Sequence, residues 1–100
     1  MFKKKPSELI IPPAVLSDPR AVEMARIWAA HGEQHVSLNA GLWEDPAAWG
    51  IMLVDLARHV SNYYAQEHGH DPAKVMARIK DFLDAEWDHP GADVTGSVIN

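Results

Sequence analysis

The longest periodic segment of the chain spans residues 42–68, and it limits the folds that this sequence can adopt. Asp45 and Pro46 form a helix start: an Asp side chain can accept a hydrogen bond from a free amide of the first turn, and Pro fits the first helical position. Gly69 tolerates the left-handed conformation that often ends a helix. Between these signals, apolar residues at helical spacing predict a central amphipathic helix: Trp49, Met52, Leu53, Leu56, Val60, Tyr63 and Tyr64.

Two further Asp-Pro pairs predict two more helices. The first pair, at residues 18–19, precedes apolar residues at helical spacing, and Gly32 would end that helix after His31. The second pair, at residues 71–72, precedes a longer apolar stripe that stops before Pro90. The two stripes consist of Val22, Ala25, Trp28 and Ala29, and of Val75, Met76, Ile79, Phe82, Leu83 and Trp87.

Residues 34–40 alternate between apolar and polar side chains, which predicts a half-buried strand. A single strand leaves backbone groups unpaired, so it needs a partner. Three partners are open from sequence: residues 8–11 (ELII), the C-terminal segment around Val94 and Val98, or the same strand of a second copy across a two-fold axis. Gly96 weakens the second option, because glycine is unfavourable within a strand.

These elements predict an α+β domain with three amphipathic helices packed on a small antiparallel sheet. The expected order is (β)-α-β-α-α-(β). Residues 1–7 form a basic tail that we expect to be disordered, residues 8–90 form the single domain, and residues 91–100 form a C-terminal tail or an edge strand.

Charge and composition exclude several classes of function. The net charge is −5, and without Lys3, Lys4 and Lys5 six basic residues face fourteen acidic ones, giving −8. Binding to nucleic acid needs a basic surface, so we expect that this protein does not bind nucleic acid. No apolar run approaches the roughly 18 residues of a membrane span. No secretory signal is apparent, and we therefore expect a cytoplasmic protein that does not bind a membrane.

The polar face of the predicted strand is the strongest candidate for a binding site or an interface. His35, Ser37 and Asn39 point away from the apolar side of the strand. Trp43 lies between the strand and the central helix, so we expect it to form a pocket wall or a dimer contact. Trp28, Trp49 and Trp87 fall on helix stripes, and we expect them in the core. We therefore expect a homodimer, with a ligand that the sequence does not identify.

Two other clusters are weaker candidates. Asp55 and His59 are four residues apart on the central helix, with Tyr63 on the same line, and a carboxylate that orients an imidazole is the pairing of a general base. No nucleophile motif accompanies them.

The second weak cluster is His68, His70 and Asp71, whose side chains are those of zinc or nickel ligands. The simpler interpretation is that His68 complements a helix C-terminus and that Asp71 caps the next helix. We therefore expect no metal site. There is no glycine-rich phosphate loop, so we expect no cofactor.

The segments ELIIPP, DPRAVEMARIWAA and QHVSLNAGLWEDPAAWGIMLVDLARH, in a chain of this length, resemble a family of bacterial proteins of about 100 residues. That family is catalogued as a domain of unknown function. The resemblance implies a compact α+β bacterial protein and no particular catalytic residues. The function that the sequence favours is a small, non-enzymatic, self-associating binding module of the bacterial cytoplasm. The alternatives are a small enzyme or enzyme subunit with the Asp55–His59 pair, or a metal-binding protein.

Overall fold

A tight turn at His31 and Gly32 joins the first two strands of the computed structural model, which describes residues 5–100. Both turn residues have positive φ, 55° and 71°, as the two central residues of a type I′ hairpin turn require. Strand β1 (Ala25–Ala30) pairs antiparallel with strand β2 (Glu33–Leu38). The strand predicted within residues 34–40 is therefore confirmed.

The helix predicted to begin at Asp18-Pro19 is wrong. Asp18 Oδ1 accepts the N–H of Arg20 at 2.9 Å in an isolated turn, and the chain then becomes β1. The apolar spacing of residues 22–29 also fits a helix, but pairing with β2 satisfies the backbone groups that a helix would bond internally. Residues 8–11 do not form the predicted strand; they are extended and precede a one-turn helix, α1 (Pro13–Leu16).

The other two predicted helices are confirmed. Helix α2 (Ala47–His68) follows Asp45, whose Oδ1 accepts the N–H of Ala47 at 2.9 Å, and it ends at Gly69 with φ of 69°. Helix α3 (Pro72–Asp88) is capped by Asp71, whose Oδ1 accepts the N–H of Ala73 at 2.9 Å. Because only residues 69–71 separate the two helices and the helices pack on each other, they form a helical hairpin.

The C-terminal segment supplies the third strand. Strand β3 (Gly96–Ile99) runs parallel to β2, and the strand order is β1-β2-β3, so the sheet is mixed and not antiparallel as predicted. Gly96 is necessary for this pairing. Its φ is 101°, and a Cβ at this position would overlap the carbonyl oxygen of Gln34. Glycine here permits the close approach of two backbones.

The two faces of the sheet differ in polarity. Cross-strand partners share a face, so Trp28, His35 and Ser97 lie on one side. The opposite side carries mostly apolar residues, which we call the sheet surface: Ala25, Ile27, Ala29, Val36, Leu38 and Val98. Ile27 and Val98 are each 61% exposed. The sheet surface is therefore largely uncovered in a single chain.

Helix α2 has two apolar sides. Ser61 is 1% exposed, and α3 is the element that packs on α2, so Ser61 marks the seam of the helical hairpin. Its hydroxyl donates to the carbonyl oxygen of Ala57 at 2.9 Å. A second apolar stripe, which we call the helix surface, is exposed in the single chain: Leu53, Leu56, Val60, Tyr63 and Tyr64.

The α+β class is confirmed, with the described order α-β-β-α-α-β. The expected packing of the helices on the sheet is not present within residues 5–100. No Cα atom of α2 or α3 comes within 8 Å of a Cα atom of a strand. Trp87, expected in a core, is 78% exposed. Among the helices of this part of the chain, none is long and apolar enough to span a bilayer.

Substitution of Gly96 tests the parallel pairing of β2 and β3. We expect Gly96→Ala to lower the free energy of unfolding by about 2 kcal/mol or more, because it adds both backbone strain and an overlap with Gln34. Gly41→Ala is the matched control, since a Cβ there meets no atom within 4 Å. Urea unfolding at one fixed protein concentration measures both. Equal stabilities of the two variants would contradict the register.

Candidate functional site

The polar face of β2 is occupied by His35, at the centre of the sheet. His35 Nδ1 lies 2.7 Å from the hydroxyl oxygen of Ser97 on β3, and Trp28 is its cross-strand partner on β1. The other ring nitrogen, Nε2, is buried and has no hydrogen-bond partner among residues 5–100. A buried polar atom without a partner costs free energy. Within the sheet, His35 is therefore held by Ser97 at one ring nitrogen while the other is buried without a partner among residues 5–100.

Ser37 and Asn39 are brought together at the end of the same strand. They line a cavity of about 240 Å³ with Glu23 and Met24, which precede β1. The backbone N–H of Asn39 donates to the carbonyl oxygen of Met24 at 2.9 Å, so the strand pairing continues into this cavity. The cavity is small and open, and its polar lining consists of Glu23, Ser37 and Asn39.

Trp43 follows β2 in the connection to α2. Its ring meets that of Trp49 edge to face, with 5.0 Å between the ring centroids, and both rings are half-buried. This pair fixes the start of α2 relative to the connection. The four residues predicted for binding thus divide into three local groups: His35 with Ser97, Ser37 with Asn39, and Trp43 with Trp49.

Sequence reasoning did not identify Ser97, Trp28 or Arg26 as part of this region. Ser97 is distant in the chain and meets His35 only through the β2–β3 register. Trp28 and Arg26 were placed on a helix. The only sequence signal that could have placed them on a strand is the His31–Gly32 pair, which suits a hairpin turn as well as a helix end.

A second open groove lies between residues 7–15 and β1, with a volume of about 750 Å³. Arg26 on β1 reaches across the groove to Glu8: its Nη1 lies 3.0 Å from Glu8 Oε2, and its Nε lies 2.7 Å from Oε1 of the neighbouring Glu23. The hydrogen bond and charge of Glu23, with a smaller effect from Glu8, raise the pKa of Arg26 above its ordinary value. In this extended segment Leu9 and Ile10 are 96% and 91% exposed.

Asp55, His59 and Tyr63 lie on exposed positions of α2. Asp55 Oδ1 is 3.7 Å from Arg58 Nη1, an exposed ion pair of little energetic weight. The ring of Tyr63 contacts the ring of Tyr64 edge to face, with 5.7 Å between centroids. The two cavities described above are lined by other residues.

His68, His70 and Asp71 lie at the turn of the helical hairpin. The two imidazole rings are 6.2 Å apart between centroids and belong to an aromatic cluster with Tyr64. Asp71 caps α3 through Ala73. Within residues 5–100, no group of three or more His, Cys, Asp or Glu side chains is arranged to hold a metal ion.

A double-mutant cycle tests the His35–Ser97 hydrogen bond. We expect His35→Ala and Ser97→Ala to show a coupling of about 1 kcal/mol in the free energy of unfolding, the usual net value of such a bond. His35→Ala with Ser61→Ala is the control pair, because Ser61 bonds within α2 and should not couple. Coupling that is equal in the two cycles would contradict the contact.

Comparison with known proteins places the chain in a family. A solved structure named "Structure of a putative pyruvate dehydrogenase from the photosynthetic bacterium Rhodopseudomonas palustrus CGA009" is 31% identical, covers 91% of this chain and 93% of its own, and has a TM-score of 0.69. No curated protein matches the chain. The family model described as "Domain of unknown function (DUF5076)" matches residues 8–91. The chain therefore belongs to the DUF5076 family, as the resemblance noted above implied.

Proposed function

We propose that this protein is a self-associating, non-enzymatic interaction module whose folded unit is a homodimer. One observation carries the proposal: within residues 5–100 of a single chain, no apolar side chain is buried. Apolar burial is the dominant favourable term in folding. A chain with 47% hydrophobic residues, none of which is buried within residues 5–100, needs a partner to complete its core.

The size of the exposed surface supports this proposal. The single chain exposes 9256 Å², whereas a compact monomer of its mass exposes about 5,600 Å². Its radius of gyration is 16.2 Å, against about 13 Å for a compact domain of 100 residues. The excess of about 3,600 Å² per chain is more than the roughly 1,000–2,500 Å² that each partner buries in the large interface of an obligate dimer, so the chain exposes ample surface for such an interface.

A second copy of the chain is the partner that we propose. The net charge of −5 opposes binding to anionic lipid and to nucleic acid, so an apolar protein surface is the favoured complement. Every copy carries both the sheet surface and the helix surface, and two copies can bury the same patches symmetrically. The bacterial cytoplasm is the setting we propose, since the solved relative comes from a bacterium.

The binding role is assigned to the polar side of the sheet, with His35, Ser37, Asn39 and the adjoining Trp43. The small cavity beside Ser37 and Asn39 is the place where a ligand would enter. Asp55 and His59 are exposed and belong to neither described cavity, so no described geometry favours them as catalytic groups.

The mass in solution tests this proposal. Light scattering on tag-free protein at micromolar concentration should give a mass near twice 11.1 kDa. Leu56→Glu should weaken the dimer roughly 100-fold, because it introduces a charge into a surface that association buries. Asn62→Asp is the matched control: it makes the same change of charge at an exposed position of α2 that lies about 120° around the helix from Leu56, away from the helix surface, and it should keep the dimer. A mass near 11.1 kDa for the unchanged protein would contradict the proposal.

A further inference from the structure

The single chain has two apolar surfaces, the sheet surface and the helix surface, and the elements that carry them do not contact each other. The sheet surface, represented by Ile27 and Val98, carries no charged side chain, and neither does the helix surface, represented by Leu56 and Val60. Arg26 lies on the other face of the sheet, and Glu67, in the last turn of α2, is the one charged residue of that helix in line with the helix surface. Each surface therefore needs an apolar, uncharged cover, and each provides one.

The topology leads to the same expectation. Strands β2 and β3 are parallel neighbours, and the helical hairpin is the crossover connection between them. In such connections the helices ordinarily cover the sheet that they join. Here no element of the hairpin comes near the sheet of its own chain. The sheet surface therefore lacks the helical layer that a crossover connection normally provides.

We propose that the helical hairpin of each copy covers the sheet surface of the other copy, so that the dimer exchanges this layer reciprocally. This inference rests on the proposed function and names its contact surfaces. Exchange of an identical element restores between copies a contact that would otherwise form within one chain. The width of the hairpin matches that of the sheet. Three strands span about 10 Å, and two packed helices have axes about 8–10 Å apart.

The alternative dimer pairs like with like, sheet surface on sheet surface and helix surface on helix surface. In a two-fold dimer such contacts must both lie on the symmetry axis. The chain is 45 Å long, and its sheet and hairpin are separate parts, so both surfaces would have to face one axis at the same time. Reciprocal exchange places two equal contacts off the axis, so the two surfaces of one chain do not have to face the axis at the same time.

Isotope-filtered NMR on a mixed dimer tests the exchange without any substitution. Equal amounts of ¹³C-labelled and unlabelled protein are unfolded in urea and refolded together, which gives mixed dimers. The only tyrosines in the sequence are Tyr63 and Tyr64, so their ring protons report on the helix surface without ambiguity. We expect intermolecular NOEs between these rings in the unlabelled chain and the methyl groups of Ile27, Val36 and Val98 in the labelled chain.

The outcomes separate this inference from the proposed function. A dimer mass without tyrosine-to-sheet NOEs between chains would overturn the exchange and leave the homodimer in place. Intermolecular NOEs from the tyrosine rings to Leu56 and Val60 alone would indicate the like-with-like dimer, and would also overturn it. A single-chain mass for the same sample would overturn both proposals.

Discussion

Apolar surface that one chain leaves uncovered is the constraint on which the rest of the structure depends. The sheet and the helical hairpin are each well formed, but neither covers the other within a chain. Local hydrogen bonds define secondary structure, whereas burial of apolar area supplies most of the stability. The folded state of this protein is therefore tied to whatever covers those surfaces, and a second copy is the cover that we propose.

The sheet also positions the candidate site. The turn at His31 and Gly32 sets the register that places Trp28 beside His35, and Gly96 lets β3 approach closely enough for Ser97 to reach the same imidazole. A polar pair at the middle of a three-stranded sheet depends on both neighbouring strands. If the sheet surface on the other side is covered only in a dimer, the order of this site is coupled to self-association.

Much of the helical structure could be predicted from sequence, because its signals are local. Asp45 and Asp71 each accept an amide from the first turn of a helix, and Gly69 has the left-handed conformation that ends α2. Strand β1 was missed because the spacing of residues 22–29 also suits a helix, and only pairing with β2 decides between the two. Gly96 was interpreted as weakening a strand, although its missing Cβ is what allows the parallel pairing. The His35–Ser97 contact depends on a register that no local pattern encodes.

The dependence of unfolding on protein concentration tests the central claim most directly. If two chains fold as one unit, the urea midpoint should rise with concentration, by roughly half a molar urea for each tenfold increase, because dissociation accompanies unfolding. Circular dichroism from about 1 to 100 µM protein would cover two such steps. A midpoint that does not change over this range would contradict the account, since it would show that a single chain is stable without its partner.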